Sequence, residues 1–295
     1  MKLALKRFSL WLMVLVGRLP LPVVRGLGHF FGLVLYTLAH ERREVALTNW
    51  RLCFPADDPL TRQRAVKAHF VVFGQALLDR GWLWHAPRAV VARRLKLTGQ
   101  TDALEGQEPI VVFAPHFVGL DAGWTALTLH LPRPCCGLYA PQPDALVDAW
   151  MRQGRGRFGN PQVIAKWQGL KPLAAAVRAG KPLYLLPDMD HAMNDSIWAE
   201  FFGHPAATLT SLPRFAALGR AKVVSVLVRL TPEGYEAEVS PVWRDYPTSD
   251  VTADVARMNR ELEAMIARQP TQYYWVHKRF KTRPPGEPSL YDFKH

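Results

Sequence analysis

The chain has 295 residues, 49% of them hydrophobic, with a formal net charge of +12. Such a chain buries a large core, which excludes a disordered segment, and its three cysteines (Cys53, Cys135 and Cys136) exclude a disulfide framework and fit a reducing compartment. The charge predicts attraction to acidic partners, whether nucleic acid, anionic lipid headgroups or an acidic protein.

Lys2, Lys6 and Arg7 precede an apolar run from Phe8 to Gly17. As a helix it would be roughly 15 Å long, against a hydrocarbon core of about 30 Å. A second apolar run, Gly26 to Ala39, is also short. Together they predict an interfacial or re-entrant helical hairpin, with a tilted single span and a soluble hairpin packed on the core as rivals. Asp58-Pro59-Leu60 reads as an N-cap with proline at the first helical position, opening an apolar helix that ends near Trp82 and Trp84. The pattern is helical up to about Leu97, so residues 1–98 are expected to form a membrane-associating helical region and 99–295 an α/β domain.

From Thr98-Gly99 onward, short apolar runs alternate with amphipathic ones. Strands are predicted at Ile110 to Ala114, Cys135 to Ala140, Gln162 to Ala165, Leu183 to Leu186, and Val223 to Leu230 with its partner Tyr235 to Val239. Helices are predicted at Ala122 to His130, Asp144 to Gln153, Leu170 to Ala179, Leu209 to Leu218 and Val251 to Arg268. The fold class is therefore α/β, a mostly parallel central sheet flanked by helices, with an apolar helical N-terminal extension.

Pro115 ends the first of these strands, and His116 follows at the edge where open α/β sheets bind ligands. A carboxylate five positions on, Asp121, could accept a hydrogen bond from one imidazole nitrogen while the other takes a proton from a hydroxyl. Backbone N–H groups at the following helix start could face a developing oxyanion. No serine or cysteine adjoins His116, so the nucleophile would be the substrate's own hydroxyl. The spacing alone carries little, because ten histidines and 25 acidic residues make roughly one chance match in a chain of this size.

Gly154-Arg155-Gly156-Arg157-Phe158-Gly159 matches a dinucleotide fingerprint in form but follows a helix, so it reads as a basic turn able to clamp a phosphate, or as a solvated one. Pro187-Asp188-Met189-Asp190-His191 follows a strand and shares the sheet edge with His116. It lacks the EF-hand pattern, since Ala192 and Met193 stand where an oxygen ligand and a glycine are required. Tyr273 to Arg283 interleaves aromatics with His277, Lys278, Arg279, Lys281 and Arg283. That segment suits nucleic acid, a membrane interface reading lipid phosphates, or a core strand with a solvated tail.

Taken together these residues resemble the bacterial lipid A late (secondary) acyltransferase family, the lauroyl and myristoyl transferases of Kdo2-lipid A. The likeness runs through His116-Phe117 with Asp121, Gly154 to Arg157, Pro187 to Asp190, Phe201-Phe202-Gly203 with Ala206-Ala207-Thr208, and Tyr273 to Arg283. It implies a lysophospholipid-acyltransferase-like fold and a membrane enzyme on the cytoplasmic face of the bacterial inner membrane. The enzyme would move a fatty acyl chain from acyl carrier protein to a hydroxyl of a phosphorylated glycolipid, with no metal, no other cofactor and no nucleic acid. His116 and Asp121 would be the catalytic pair, with Arg155, Arg157, Asp188, Lys278 and Arg279 as substrate contacts. The chain departs from the family at Gly119-Leu120-Asp121, where Asn-Trp-Glu is usual, at Ala140, where arginine is usual, and at His191-Ala192. The acceptor therefore stays open between a lipid A precursor and another lipid or aryl-polyene-type product. A non-catalytic binding module and a thioesterase are the further alternatives.

Overall fold

The computed structural model describes residues 2–293. Five helices precede the first strand: α1 (Lys2–Val16), α2 (Leu21–Leu38), α3 (His40–Cys53), α4 (Pro59–His85) and α5 (Arg88–Arg94). The Asp58 carboxylate accepts from the N–H groups of Leu60 and Thr61, which caps α4 where proline opens it. Pro22 lies in the first turn of α2, where a missing N–H costs nothing, so this helix starts earlier than its apolar run.

Glycines let α1 and α2 lie against α4 backbone to backbone. A Cβ added at Gly32 would fall 2.3 Å from the Phe70 carbonyl oxygen, and one at Gly74 would fall 2.5 Å from that of Gly28. Gly17 and Gly81 repeat the arrangement between α1 and α4. On the far side, large apolar groups remain exposed: Phe8 and Trp11 on α1, and Leu27, Phe30 and Leu38 on α2.

Beyond these helices come β1 (Leu95–Gly99), α6 (Asp102–Glu105), β2 (Ile110–Phe113), α7 (Leu120–His130), β3 (Cys136–Tyr139), α8 (Ala145–Arg155) and β4 (Gln162–Ala165). They continue with α9 (Lys171–Arg178), β5 (Leu183–Leu185), β6 (Ser196–Phe201), β7 (His204–Leu209), α10 (Ser211–Gly219), β8 (Lys222–Thr231), β9 (Gly234–Val239) and α11 (Val251–Arg268). Seven strands form one sheet in the order β1-β9-β8-β2-β5-β3-β4, with only the β8–β9 hairpin antiparallel. A separate antiparallel hairpin joins β6 to β7.

The sheet is mostly parallel and flanked by helices, as expected. Two features go beyond the expectation. The end of the segment read as helical is β1, a parallel edge partner of β9, and Ser196 to Leu209 folds as a hairpin. Side-chain alternation sends Val111 and Phe113 of β2 into one hydrophobic cluster and Ile110 and Val112 into the other, so the strand is buried on both faces. The first cluster also holds Trp50 and Phe70, and the second Val24 and Trp82, so the helices before residue 98 share both cores with the sheet after it. A buried carboxylate adds a polar tie: Asp79 of α4 accepts from Arg25 of α2, the Trp82 indole and the Tyr235 hydroxyl of β9.

Gly32→Ala should lower the unfolding free energy by about 1–3 kcal/mol, because the backbones of α2 and α4 must separate. Gly26→Ala, with nothing within 4 Å of the added Cβ, should be neutral or stabilise by up to about 1 kcal/mol. Denaturant unfolding of both variants in detergent checks the contrast.

Candidate active site

The site begins with strand register. β2 and β5 are adjacent and parallel, and Phe113 stands opposite Leu185. Three residues beyond each, after Ala114-Pro115 on one strand and Leu186-Pro187 on the other, come His116 and Asp188. Equal offsets from paired positions bring the two side chains together at the carboxyl edge of the sheet. The His116 Nδ1–H donates to Asp188 Oδ1 at 2.8 Å, and the His116 backbone N–H donates to Oδ2 at 3.0 Å. The Tyr273 hydroxyl donates to Oδ2 as well, at 3.2 Å. Burial acts to raise the Asp188 pKa, but the adjacent His116 imidazole and the His116 backbone N–H hold the carboxyl below the usual range. With Nδ1 committed, Nε2 of His116 has no hydrogen-bond partner among the described residues, and the side chain keeps 22% of its surface exposed.

Asp121 therefore does not hold His116, contrary to the pairing that spacing suggested. It lies in the first turn of α7 and accepts from Arg80 Nε of α4 through Oδ2 and from Arg155 Nε of α8 through Oδ1, each at 2.8 Å. Burial opposes ionisation of Asp121, yet the two guanidiniums outweigh it and keep its pKa low. The physical reason is competition: a carboxylate between two cations is already satisfied, while His116 is tied by ring and backbone to Asp188. The N–H groups of Phe117, Val118 and Leu120 donate to the carbonyls of Pro115, Gln272 and Phe117, so these three are not open to an oxyanion.

The other expected contacts divide. Gly154 allows α8 to meet α4, since a Cβ there would lie 2.2 Å from the Trp84 ring, and this seats Arg155 beside Asp121. Arg157, expected to touch substrate, instead donates to the Leu83 and Ala86 carbonyls at the end of α4. Arg279 is 2% exposed and donates to the Ala207 carbonyl and the Thr208 hydroxyl, so it braces β7 from within the core and is out of a substrate's reach. Lys278 pairs with Glu41 of α3 at 2.8 Å on the surface. Asp188 meets the imidazole directly, and Asp190 anchors the C-terminal segment by accepting from Thr282 N–H and Oγ1. Arg80 was missed because nothing local marks it; only its place one position after Asp79, on the same long helix, puts it near α7. Among the described residues, no three His, Cys, Asp or Glu side chains gather as a metal site.

Comparison with known proteins gives the chain its reaction class. The chain matches the family described as bacterial lipid A biosynthesis acyltransferase over residues 2–282. It is 31% identical to the lipid A biosynthesis palmitoleoyltransferase of Escherichia coli K12 over 288 residues, 96% of this chain and 92% of that one. The lauroyltransferase of the same organism matches to the same extent, and the myristoyltransferase is 28% identical over 92% of this chain and 84% of its own. Among solved structures, the 1-acyl-sn-glycerophosphate acyltransferase of Thermotoga maritima aligns over 83% of this chain and 94% of its own, at 12% identity and a TM-score of 0.38. The sequence relatives share one reaction class, and this chain too is an acyltransferase. It belongs to the bacterial lipid A biosynthesis acyltransferase family.

A second histidine near the site sets a pH dependence. His277 Nε2 accepts the Asp190 N–H at 3.0 Å, so its ring is held neutral. Burial first, then the nearby His116 and Arg279, push its pKa down to about 4, against about 6.5 for an unfolded chain. The unfolded state thus takes up this proton first as pH falls. The stabilisation is complete above about pH 6.5 and is lost as pH drops toward 4. His277→Gln, which keeps an acceptor but cannot titrate, should flatten the fall in stability between pH 6.5 and 4.5 by on the order of 1–2 kcal/mol. Denaturant unfolding at the two pH values measures the difference.

Proposed function

We propose that the chain transfers a fatty acyl group from acyl carrier protein to a hydroxyl of a lipid A precursor, with His116 as general base. The observation that carries this reading is the His116 imidazole, pinned at Nδ1 by Asp188 and open at Nε2, in a chain whose relatives are named for acyl transfer in lipid A biosynthesis. Nε2 takes the proton of the acceptor hydroxyl as its oxygen attacks the thioester carbonyl. Asp188 stabilises the imidazolium that forms. As the carbon–sulfur bond breaks, the departing thiolate receives that proton and the imidazole returns to neutral. The thioester itself supplies an activated acyl group, so the step calls for no metal or redox cofactor. Ala140, where the family resemblance implies arginine, is the reason to include other lipid acceptors in any assay.

The acceptor's acyl chains call for an enzyme at a membrane. α2 is long and apolar enough to cross one by length and composition, and 22% of its residues are buried. Gly28 and Gly32 face α4 while Phe30 and Leu38, 68% and 77% exposed, remain outside. We read α1 and α2 as lying on the cytoplasmic face of the inner membrane, where acyl carrier protein is available and the three buried cysteines stay reduced.

Acyl carrier protein loaded with chains of several lengths, purified enzyme in detergent and under-acylated Kdo2-lipid A, read by mass spectrometry, should give a product heavier by one acyl group. His116→Ala should lower turnover by about 10²-fold or more, and Asp188→Asn by about 10²-fold. Near-normal turnover in His116→Ala would reject the base. For the membrane face, replacing Phe8, Trp11 and Phe30 together by serine should cut liposome binding by about 10-fold or more, without unfolding the chain. Co-sedimentation with vesicles tests it.

A further inference from the structure

Two of the side-chain and backbone donors on Asp188 belong to His116 itself, its ring and its N–H. The Tyr273 hydroxyl reaches the same carboxylate from a distant part of the chain. Among the described residues no arginine or lysine pairs with Asp188, whereas Asp121 lies between two guanidiniums. A cation there would cancel the charge that stabilises an imidazolium. A neutral phenol steadies the buried carboxylate and leaves that charge in place.

The segment after α11 delivers Tyr273 to this position. Phe117 and Tyr273 form an antiparallel bridge, flanked by bonds from Val118 N–H to the Gln272 carbonyl at 2.8 Å and from Tyr274 N–H to the His116 carbonyl at 2.9 Å. Two further elements hold the segment. The His69 Nδ1–H of α4 donates to the Thr271 carbonyl at 2.9 Å, and the Gln272 side chain accepts from the Leu230 N–H of β8 at 2.8 Å. Packed edge to face with Phe117 and Trp275, the buried Tyr273 ring is fixed in orientation. Burial first, then the Asp188 charge, push the hydroxyl's pKa well up, so it remains a donor. Every polar group of His116 except Nε2 is thus held by Asp188 or by this segment.

We propose that Tyr273 is a positioning residue for proton transfer: its hydroxyl, bound to Asp188 Oδ2, keeps the other oxygen aimed at Nδ1 and the Nδ1 proton on the ring. The assignment rests on the reading of His116 as the base in acyl transfer. While Nε2 takes the acceptor's proton, Asp188 stays ionised, because part of its charge is held by Tyr273. When Nε2 passes that proton to the departing thiolate, both hydrogen bonds on Asp188 are as they began. Other charged or titratable groups in reach of the pair are His277 and Tyr184, with Tyr274 beside the imidazole and Arg279 near Tyr273. Asp121 of α7 is engaged by its own arginines. Removing one hydroxyl changes none of these groups, so a change in His116 titration reports Tyr273.

Tyr273→Phe removes the hydroxyl and keeps the ring. Titration of His116 would be followed by NMR of isotope-labelled histidine in the full chain in detergent, with the His116→Ala spectrum assigning its signal. Losing this donor leaves more of the carboxylate's charge to the imidazolium, so the His116 midpoint should rise by about half a pH unit or more. A ring-fluorinated tyrosine at this position, a stronger donor, should move the midpoint the other way, and it carries the test if the phenylalanine variant does not fold. In the transfer assay Tyr273→Phe should lower kcat by about 5-fold or more, with KM for donor and acceptor within about 2-fold of wild type. In an Asp188→Asn background the same change should cost less than about 2-fold, since the hydroxyl acts through the carboxylate. An unmoved midpoint with either replacement, or an equal loss of kcat in both backgrounds, would overturn the proposal. A moved midpoint in a protein whose wild type shows no acyl transfer would support the positioning role and count against the proposed reaction alone.

Discussion

The in-register pairing of β2 with β5 is the constraint on which the site depends. Parallel strands of equal register deliver residues at equal offsets to the same edge, so Phe113 opposite Leu185 places His116 beside Asp188. Both loops pass through a proline, Pro115 or Pro187, which removes a donor and ends the ladder at the same level. The carboxylate then satisfies the ring and the backbone N–H of one residue, which leaves the imidazole a single orientation. The outward nitrogen is open because the inward one is fixed.

Around that edge, charge is sorted by what each arginine can reach. Arg157 and Arg279 are drawn to backbone carbonyls and hold helix and hairpin ends in place. Arg80 and Arg155 meet a carboxylate instead, and one carboxylate between two forks cannot use all their donors. The same residue type in one basic turn, Arg155 and Arg157, thus has two different fates two positions apart. The difference is geometric: Arg155 ends α8 facing α7, and Arg157 lies past the helix against the end of α4.

The N-terminal helices belong to the same body as the sheet. Glycine contacts bring α2 onto α4, and the buried Asp79 with Arg25 and Tyr235 ties both helices to β9. Arg80, the next residue along α4, sits at the site because Asp79 fixes the helix there. The exposed apolar surface of α1 and α2 and the polar edge that carries His116 are thereby held in one arrangement.

Local chemistry alone determined much of this. Short apolar runs stopped by Pro115, Pro187 and Gly180 marked the strands and helices, because burial on both faces demands continuous apolar residues and proline ends a ladder. Asp58-Pro59 marked the start of α4 for the same kind of local reason, and the ordered motifs carried the family. His116 at a strand's carboxyl end was equally legible. What only the tertiary structure decided were the partners. Asp188 lies 72 positions from His116, and Arg80 lies 41 and Arg155 34 from Asp121. Which carboxylate an imidazole meets depends on strand order, and sequence spacing does not encode that order. β1 stayed hidden because an edge strand of five residues gains its hydrogen bonds only from β9, far along the chain. Close sequence neighbours such as His116 and Asp121 were separated because each found a stronger partner brought in by folding.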